Sequence, residues 1–200
     1  MKNFLLTWLL LIPMLTLAQN PVSYPVDGVY CTFEAFRNGK PDLVKSQLIK
    51  SVQQIEFTIK QWSTTENLFY TDAQGNKQML GRDSIWGFSE SGVVHIFLGK
   101  KFHKIHTLGQ ISYFLESYPV IRNMAPVVTD TKGASYYRLL DMETGELYDY
   151  NPESFLLIIE NDEALHAEYK AISSAKARKK KLYSFLERYN KAHPFGIRTE

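Results

Sequence analysis

Residues 83–117, DSIWGFSESGVVHIFLGKKFHKIHTLGQISYFLES, set four short apolar runs between turn signals, a spacing that leaves room for strands and not for helices. The runs at 84–88, 93–98, 102–108 and 110–115 are five to seven residues long and rich in Ile, Val and aromatic side chains. Runs of that length and make-up fit strands, whereas amphipathic helices need longer ones. Glu90-Ser91-Gly92, Gly99-Lys100-Lys101 and Gly109 separate them, and such short Gly-containing links close hairpins. An antiparallel meander follows. Alternation puts Val94, Ile96 and Leu98 on one side of the second run and Val93, His95 and Phe97 on the other. Both sides are largely apolar, so this strand is expected in the middle of the sheet, covered on each face.

The flanks extend the same pattern. The folded body begins at Asp27, with Cys31 between Val29 and Phe33 on one face of a strand or at its end. Further strands are expected at 54–59, where Ile55, Phe57 and Ile59 alternate with Glu56, Thr58 and Lys60, and at 68–70 and 77–80. Tyr118-Pro119 and Ala125-Pro126 make 120–128 edge-like. The last hairpin joins 135–141 to 146–150 about Glu143-Thr144-Gly145. At Asn151 the pattern changes: Asn151 suits an N-cap, Pro152 the first helical position and Glu153 the positive helix end, which predicts a helix to about Glu160. Asp162 can cap another, in which Leu165, Tyr169, Ile172, Leu182, Leu186 and Tyr189 form one stripe, interrupted by Lys179. Ser173-Ser174 is a place where that helix can divide, and His193-Pro194 ends it. The fold class is α+β: an antiparallel meander or curved sheet over 27–150, followed over 151–193 by helices packed on it, in a single domain spanning 27–200.

Residues 1–18 read as a secretory signal peptide: Lys2 supplies the charge, 4–17 an apolar core, and Thr16-Leu17-Ala18 small residues before a cut. The apolar run of 14 residues is short for a membrane span, which needs about 20, so cleavage is expected over an uncleaved anchor. Residues 19–26 form a Pro-containing arm. Export to the periplasm or beyond follows, with no transmembrane span after cleavage. Cys31 is the single cysteine, so no internal disulfide can form, and a buried inert thiol is the reading. The mature chain carries 22 basic and 21 acidic residues, a balance that points to no nucleic-acid partner. From Lys170 onward nine Lys or Arg face only Glu187 and Glu200, a net of +7 against −6 for residues 19–169. A basic helix lying on an acidic body is the simple account, and a polybasic contact with an anionic surface the sharper one.

DGVYCTFEAFRNGKP, through Gly28, Tyr30, Thr32, Phe33, Glu34, Phe36, Asn38 and Pro41, resembles the opening of a family of uncharacterised exported bacterial proteins. The resemblance continues through IWGFSESG at 85–92, LLDMETGELYDYNPESF at 139–155 and YNKAHP at 189–194, and so covers most of the mature chain. Ala35 departs from it, standing where the pattern has an acidic residue. The resemblance implies export and one shared fold, and carries no activity.

Several constellations invite chemistry. His95, His103 and His106 fall within twelve residues, but His103 and His106 lie three apart and face opposite sides of a regular strand, so no metal site is expected. Glu34, Asp83, Glu90, Asp141 and Glu143 are the acid/base candidates; a working pair needs a separation of about 5 to 9 Å that sequence cannot supply. Gly87-Phe88-Ser89-Glu90-Ser91 falls short of a nucleophile elbow, since Ser91 replaces the final Gly and a turn, not a helix, follows. No phosphate-binding Gly-rich loop occurs, so no cofactor is expected. Aromatics make the better binding argument: tyrosines recur as Tyr136-Tyr137, Tyr148 with Tyr150, and Tyr183 with Tyr189, and Trp62, Trp86, Tyr136 and Tyr137 are the candidate ligand-binding residues. Core filling is the plainer use of such residues. The expected function is a non-enzymatic binding or interaction protein of the bacterial envelope, its partner a glycan or a protein; the alternative is a small exported hydrolase with paired carboxylates.

Overall fold

Alternation and turn chemistry do place strands along the central stretch, and the computed structural model describes them within residues 25–49, 59–118 and 134–197. In chain order the elements are β1 (Gly28–Tyr30), α1 (Phe33–Arg37), β2 (Leu48–Ile49), α2 (Ile59–Trp62), β3 (Asn67–Thr71), β4 (Lys77–Gly81), β5 (Gly87–Glu90), β6 (Val93–Leu98), β7 (Lys101–Thr107) and β8 (Ile111–Tyr118). After them come β9 (Ala134–Asp141), β10 (Leu147–Asp149), α3 (Pro152–Ile158), α4 (Glu163–Lys170) and α5 (Ala175–Ala192). Seven strands form one antiparallel sheet in the order β1-β5-β6-β7-β8-β9-β10, and β2-β3-β4 form a second, smaller one. The hairpins at both ends of β6 turn on two residues at positive φ, Ser91 and Gly92 at 53° and 74°, Gly99 and Lys100 at 57° and 71°. Two successive positive φ values match the right-handed twist of the flanking strands.

Sheet and helices together make the α+β architecture expected, with three local corrections. Phe33–Arg37 forms a helix that the sequence reading did not assign, because the Thr32 side chain accepts from Ala35 N at 3.0 Å and caps a turn that carries Glu34 at its positive end. Ile59 opens α2 instead of closing a strand; the rest of 54–59 lies outside the described residues, as do 1–18, most of the 19–26 arm and 120–128. The strand expected at 84–88 begins three residues later, since Arg82–Ser84 forms a single 3₁₀ turn.

The large sheet is buried on both faces, each by a different part of the chain. On one face Val94, Ile96, Ile105, Phe114 and Leu140 pack with Tyr30, Phe36, Met142 and Phe195, so that α1 and the tail after α5 close this core. On the opposite face Val29, Ile85 and Phe88 pack against Leu48, Ile59 and Leu68 from the small sheet and α2. Further along that face Ile111 and Leu139 meet Phe155, Ile159, Leu165, Tyr169, Leu182, Phe185, Leu186 and Tyr189 of the helices. Each large apolar side chain so buried stabilises the fold by roughly 1.5–3 kcal/mol. β6 sits third in the sheet as its two apolar sides require, with Val94 and Ile96 buried and Val93, His95 and Phe97 half-buried.

Capping sets the helices. Asn151 accepts from Ser154 N at 2.8 Å, Asp162 from Leu165 N at 3.0 Å and Ser174 from Ala177 N at 3.2 Å, and this last cap divides the long helical stripe into α4 and α5. Arg188 grips Glu168 with both guanidinium nitrogens, at 2.7 and 2.6 Å, and His193 lies 3.0 Å from Asp162, so α5 is held to α4 at its far end. Its near contact with the sheet is made by Asn190, whose Oδ1 accepts from Ile111 N and whose Nδ2 donates to Ile111 O, each at 2.8 Å. The β7–β8 register shifts at Ile105 and Thr107, so this amide serves the backbone groups at the start of β8. A Cβ at Gly109 would overlap the same amide, which is why the link between the strands is glycine.

Asn190→Ala is expected to destabilise the protein by about 2–4 kcal/mol, because it strands a backbone donor and acceptor at a half-buried strand end. Urea unfolding should show this as a lower midpoint with an unchanged slope.

Candidate functional site

Strand alternation divides the sequence-selected aromatics between two faces. Tyr136 stands opposite Glu116 and Tyr137 opposite Leu115 in the β8–β9 ladder, so the neighbouring rings point to opposite sides of the sheet. Tyr137 joins a group that sequence spacing does not reveal. Its ring lies 6.1 Å from Tyr113 and 5.7 Å from Tyr150, while Tyr113 is 6.0 Å from Tyr150, 5.8 Å from Tyr183 and 5.8 Å from the His106 ring. These five rings come from β7, β8, β9, the end of β10 and α5, and form a shelf beside the helices.

Tyr137 and Tyr183 are exposed, at 53% and 41%, with Tyr113 and Tyr150 half-buried behind them. The tilted and edge-on angles, 50° to 86° among the tyrosines, are favoured aromatic pairings that leave ring faces open to solvent. The rim is polar: the Tyr183 hydroxyl is engaged with Glu187 and Thr107, and its phenol is pushed up chiefly by the Glu187 hydrogen bond. Burial first, and then the Tyr113, Tyr183 and Tyr137 phenols, push Tyr150 up to about 12. The shelf therefore offers ring faces, phenol hydroxyls and one carboxylate within a single patch.

The other aromatic candidates go elsewhere. Trp86 packs 4.7 Å from Phe36 and 5.5 Å from Phe33, as part of the core wall under α1. Trp62 ends α2, and its side chain lies outside what is described. Tyr136 is 57% exposed on the opposite face, where Arg138 bridges buried Glu116 and exposed Asp149. Tyr189 is buried among the helices and Tyr148 donates to Glu146.

The acid/base candidates are committed to local structure. Glu34 accepts from Asn38 at 3.0 Å and Glu90 from Ile59 N at 2.9 Å, while Asp83 lies in the 3₁₀ turn. Asp141 accepts from Glu143 N and from the Thr144 hydroxyl, and Glu143 pairs with Arg37 at 2.9 Å. The histidines separate as strand period requires: His103 is buried between the Leu115 and Leu98 carbonyls, His106 stacks on Tyr113, and His95 stacks on Phe88.

Two clefts accompany the shelf. One, of about 320 Å³, is lined by Cys31, Asp42, Gln47, Tyr70 and Asp72 among others. Asp72 is held below the usual carboxylate range by hydrogen bonds, first from Gln78 and then from Asn76, so it is no proton donor at neutral pH. Cys31 is half-buried here, less enclosed than its sequence neighbours imply, and burial followed by the Asp42 charge pushes its thiol up to about 11. The other, of about 330 Å³, is lined by Ser63, Thr64, Arg82, Phe88, His95, Lys100, Lys101 and Phe102, with no carboxylate among them. Among the described residues no helix is long and apolar enough to cross a membrane, and no His, Cys, Asp and Glu side chains gather as a metal site would need.

Searches against family models, curated proteins and solved structures each return no match.

Two outcomes follow from the ionisations. A thiol raised from 9.0 to about 11 carries less thiolate at neutral pH, partly offset by greater nucleophilicity, so Cys31 should alkylate roughly tenfold more slowly than a free thiol, as a maleimide time course will show. The fold favours the neutral Tyr150 phenol, whose contribution is complete below the ordinary 10.0 and is lost as pH rises from there to about 12. Unfolding midpoints should fall over that window, and Tyr150→Phe should make the fall shallower.

Proposed function

We propose that the chain is an exported bacterial protein that acts by binding at the cell envelope, and that the shelf of Tyr113, Tyr137, Tyr150 and Tyr183 with His106 is its recognition surface. One observation carries this reading: rings from five separate segments meet in one patch and keep two phenol-bearing faces in solvent. Packing alone would bury them. The ligand class is a glycan. A sugar presents C–H faces that stack on tyrosine and equatorial hydroxyls that pair with phenols and a carboxylate, and the shelf supplies both kinds of partner through its ring faces and the Tyr183–Glu187 rim.

Export rests on the charged and apolar segments of residues 1–18 and on the resemblance to exported bacterial proteins, and the envelope is where such a chain meets glycans. The hydrolase alternative draws less support, since its five candidate carboxylates serve caps, turns and an ion pair. The 320 Å³ cleft does bring Asp42 and Asp72 to one lining, but Asp42 accepts from Cys31 N at 2.7 Å and Asp72 is held ionised, whereas an acid/base pair needs one group kept protonated.

Calorimetric titration with soluble peptidoglycan fragments should give saturable binding, weakened about tenfold or more in Tyr137→Ala and in Tyr183→Ala with little change in melting temperature. No saturable heat with any envelope glycan, or affinity that ignores both substitutions, overturns the reading.

A further inference from the structure

We propose that the 330 Å³ cleft between the small sheet and the β6–β7 hairpin is an oxyanion-binding site, suited to a phosphate monoester with a flat organic group. The inference is independent of the tyrosine shelf and rests on other residues. Arg82 enters from the 3₁₀ turn after β4, Lys100 and Lys101 from the hairpin, and all three residues line one cleft, with no Asp or Glu among the described lining residues. An anion in the cleft meets basic residues from two separate segments of the chain.

The details agree with an anion at this place. Arg82 Nε is buried and has no hydrogen-bond partner among the described residues, while its guanidinium lies 5.7 Å from the Phe97 ring centre and is thereby oriented. Lys100 stands at φ 71°, a conformation that glycine or asparagine would adopt with less strain, so the hairpin keeps a lysine at the cleft where turn chemistry favours another residue. Phe88 and His95 stack at 4.5 Å with 10° between their planes, and Phe102 meets Phe88 edge-on at 5.1 Å. These rings form an aromatic wall beside the cations. An oxyanion accepts from the guanidinium and the ammonium groups, and a flat substituent packs on the wall.

Titration of the full chain with inorganic phosphate and with phenyl phosphate tests this. Both should bind saturably, phenyl phosphate more tightly, and both more weakly as salt rises. Lys101→Met and Arg82→Gln should each reduce affinity roughly tenfold. Lys100→Gly is the control for folding, since it removes a cation while relieving the positive φ: its melting temperature should hold or rise while phosphate affinity falls. No saturable binding of either probe overturns the proposal, as does binding that all three variants leave intact. Inorganic phosphate binding as tightly as phenyl phosphate overturns the role of the aromatic wall.

Discussion

Asn190 is where the two halves of the molecule become one. Its amide takes both the N–H and the C=O of Ile111, groups that the register shift between β7 and β8 leaves at the end of the ladder. A helix packed only through apolar side chains can slide by a fraction of a turn at small cost. One held through a two-point hydrogen bond to a strand cannot. With α5 fixed in this way, Tyr183, about two turns earlier on the same side, is delivered to Tyr113, Leu182, Phe185 and Leu186 fill the core, and the tail leaves at a defined point to reach the other face.

The arrangement leaves room for the two proposed binding surfaces on so small a body. The large sheet uses both faces as core, so its margins are what remain for recognition. At one margin the helices stop short of β7 to β9 and the tyrosines take over; at another the small sheet stops short of the β6–β7 hairpin and cations line the gap. One margin presents hydroxylated rings and the other positive charge, and the ligands they suit differ accordingly.

Much of the architecture was legible because it is written in short periods. The hairpins about Ser91-Gly92 and Gly99-Lys100, the placement of β6, and the caps at Asn151 and Asp162 all follow from residues adjacent in the chain. Of the second sheet, β3 and β4 were legible at 68–70 and 77–80, but β2 was not, since it has only two residues and its pairing with β3 depends on contacts far along the sequence. Helix α1 was not read from the sequence, although Phe33 and Phe36, three apart, share a side only in a helix and Thr32 ahead of Glu34 is a capping signal that could have identified it. The shelf was half visible: Tyr137, Tyr150 and Tyr183 drew notice as members of pairs, but their partners lie elsewhere, Tyr136 on the opposite face of the sheet, Tyr148 donating to Glu146 and Tyr189 buried among the helices. Its centre, Tyr113, had no neighbour to mark it. A polar Asn190 within an otherwise favourable helix was the available sign of the sheet contact.

Phe195 lies stacked 6.1 Å from Phe36, and Arg37 donates to the Gly196 carbonyl at 2.9 Å while facing the Phe195 ring. The interior begun by residues near 30 is thus sealed by residues near 195, so this one core draws on both extremes of the described chain, and a shortened C-terminus would open it beside α1.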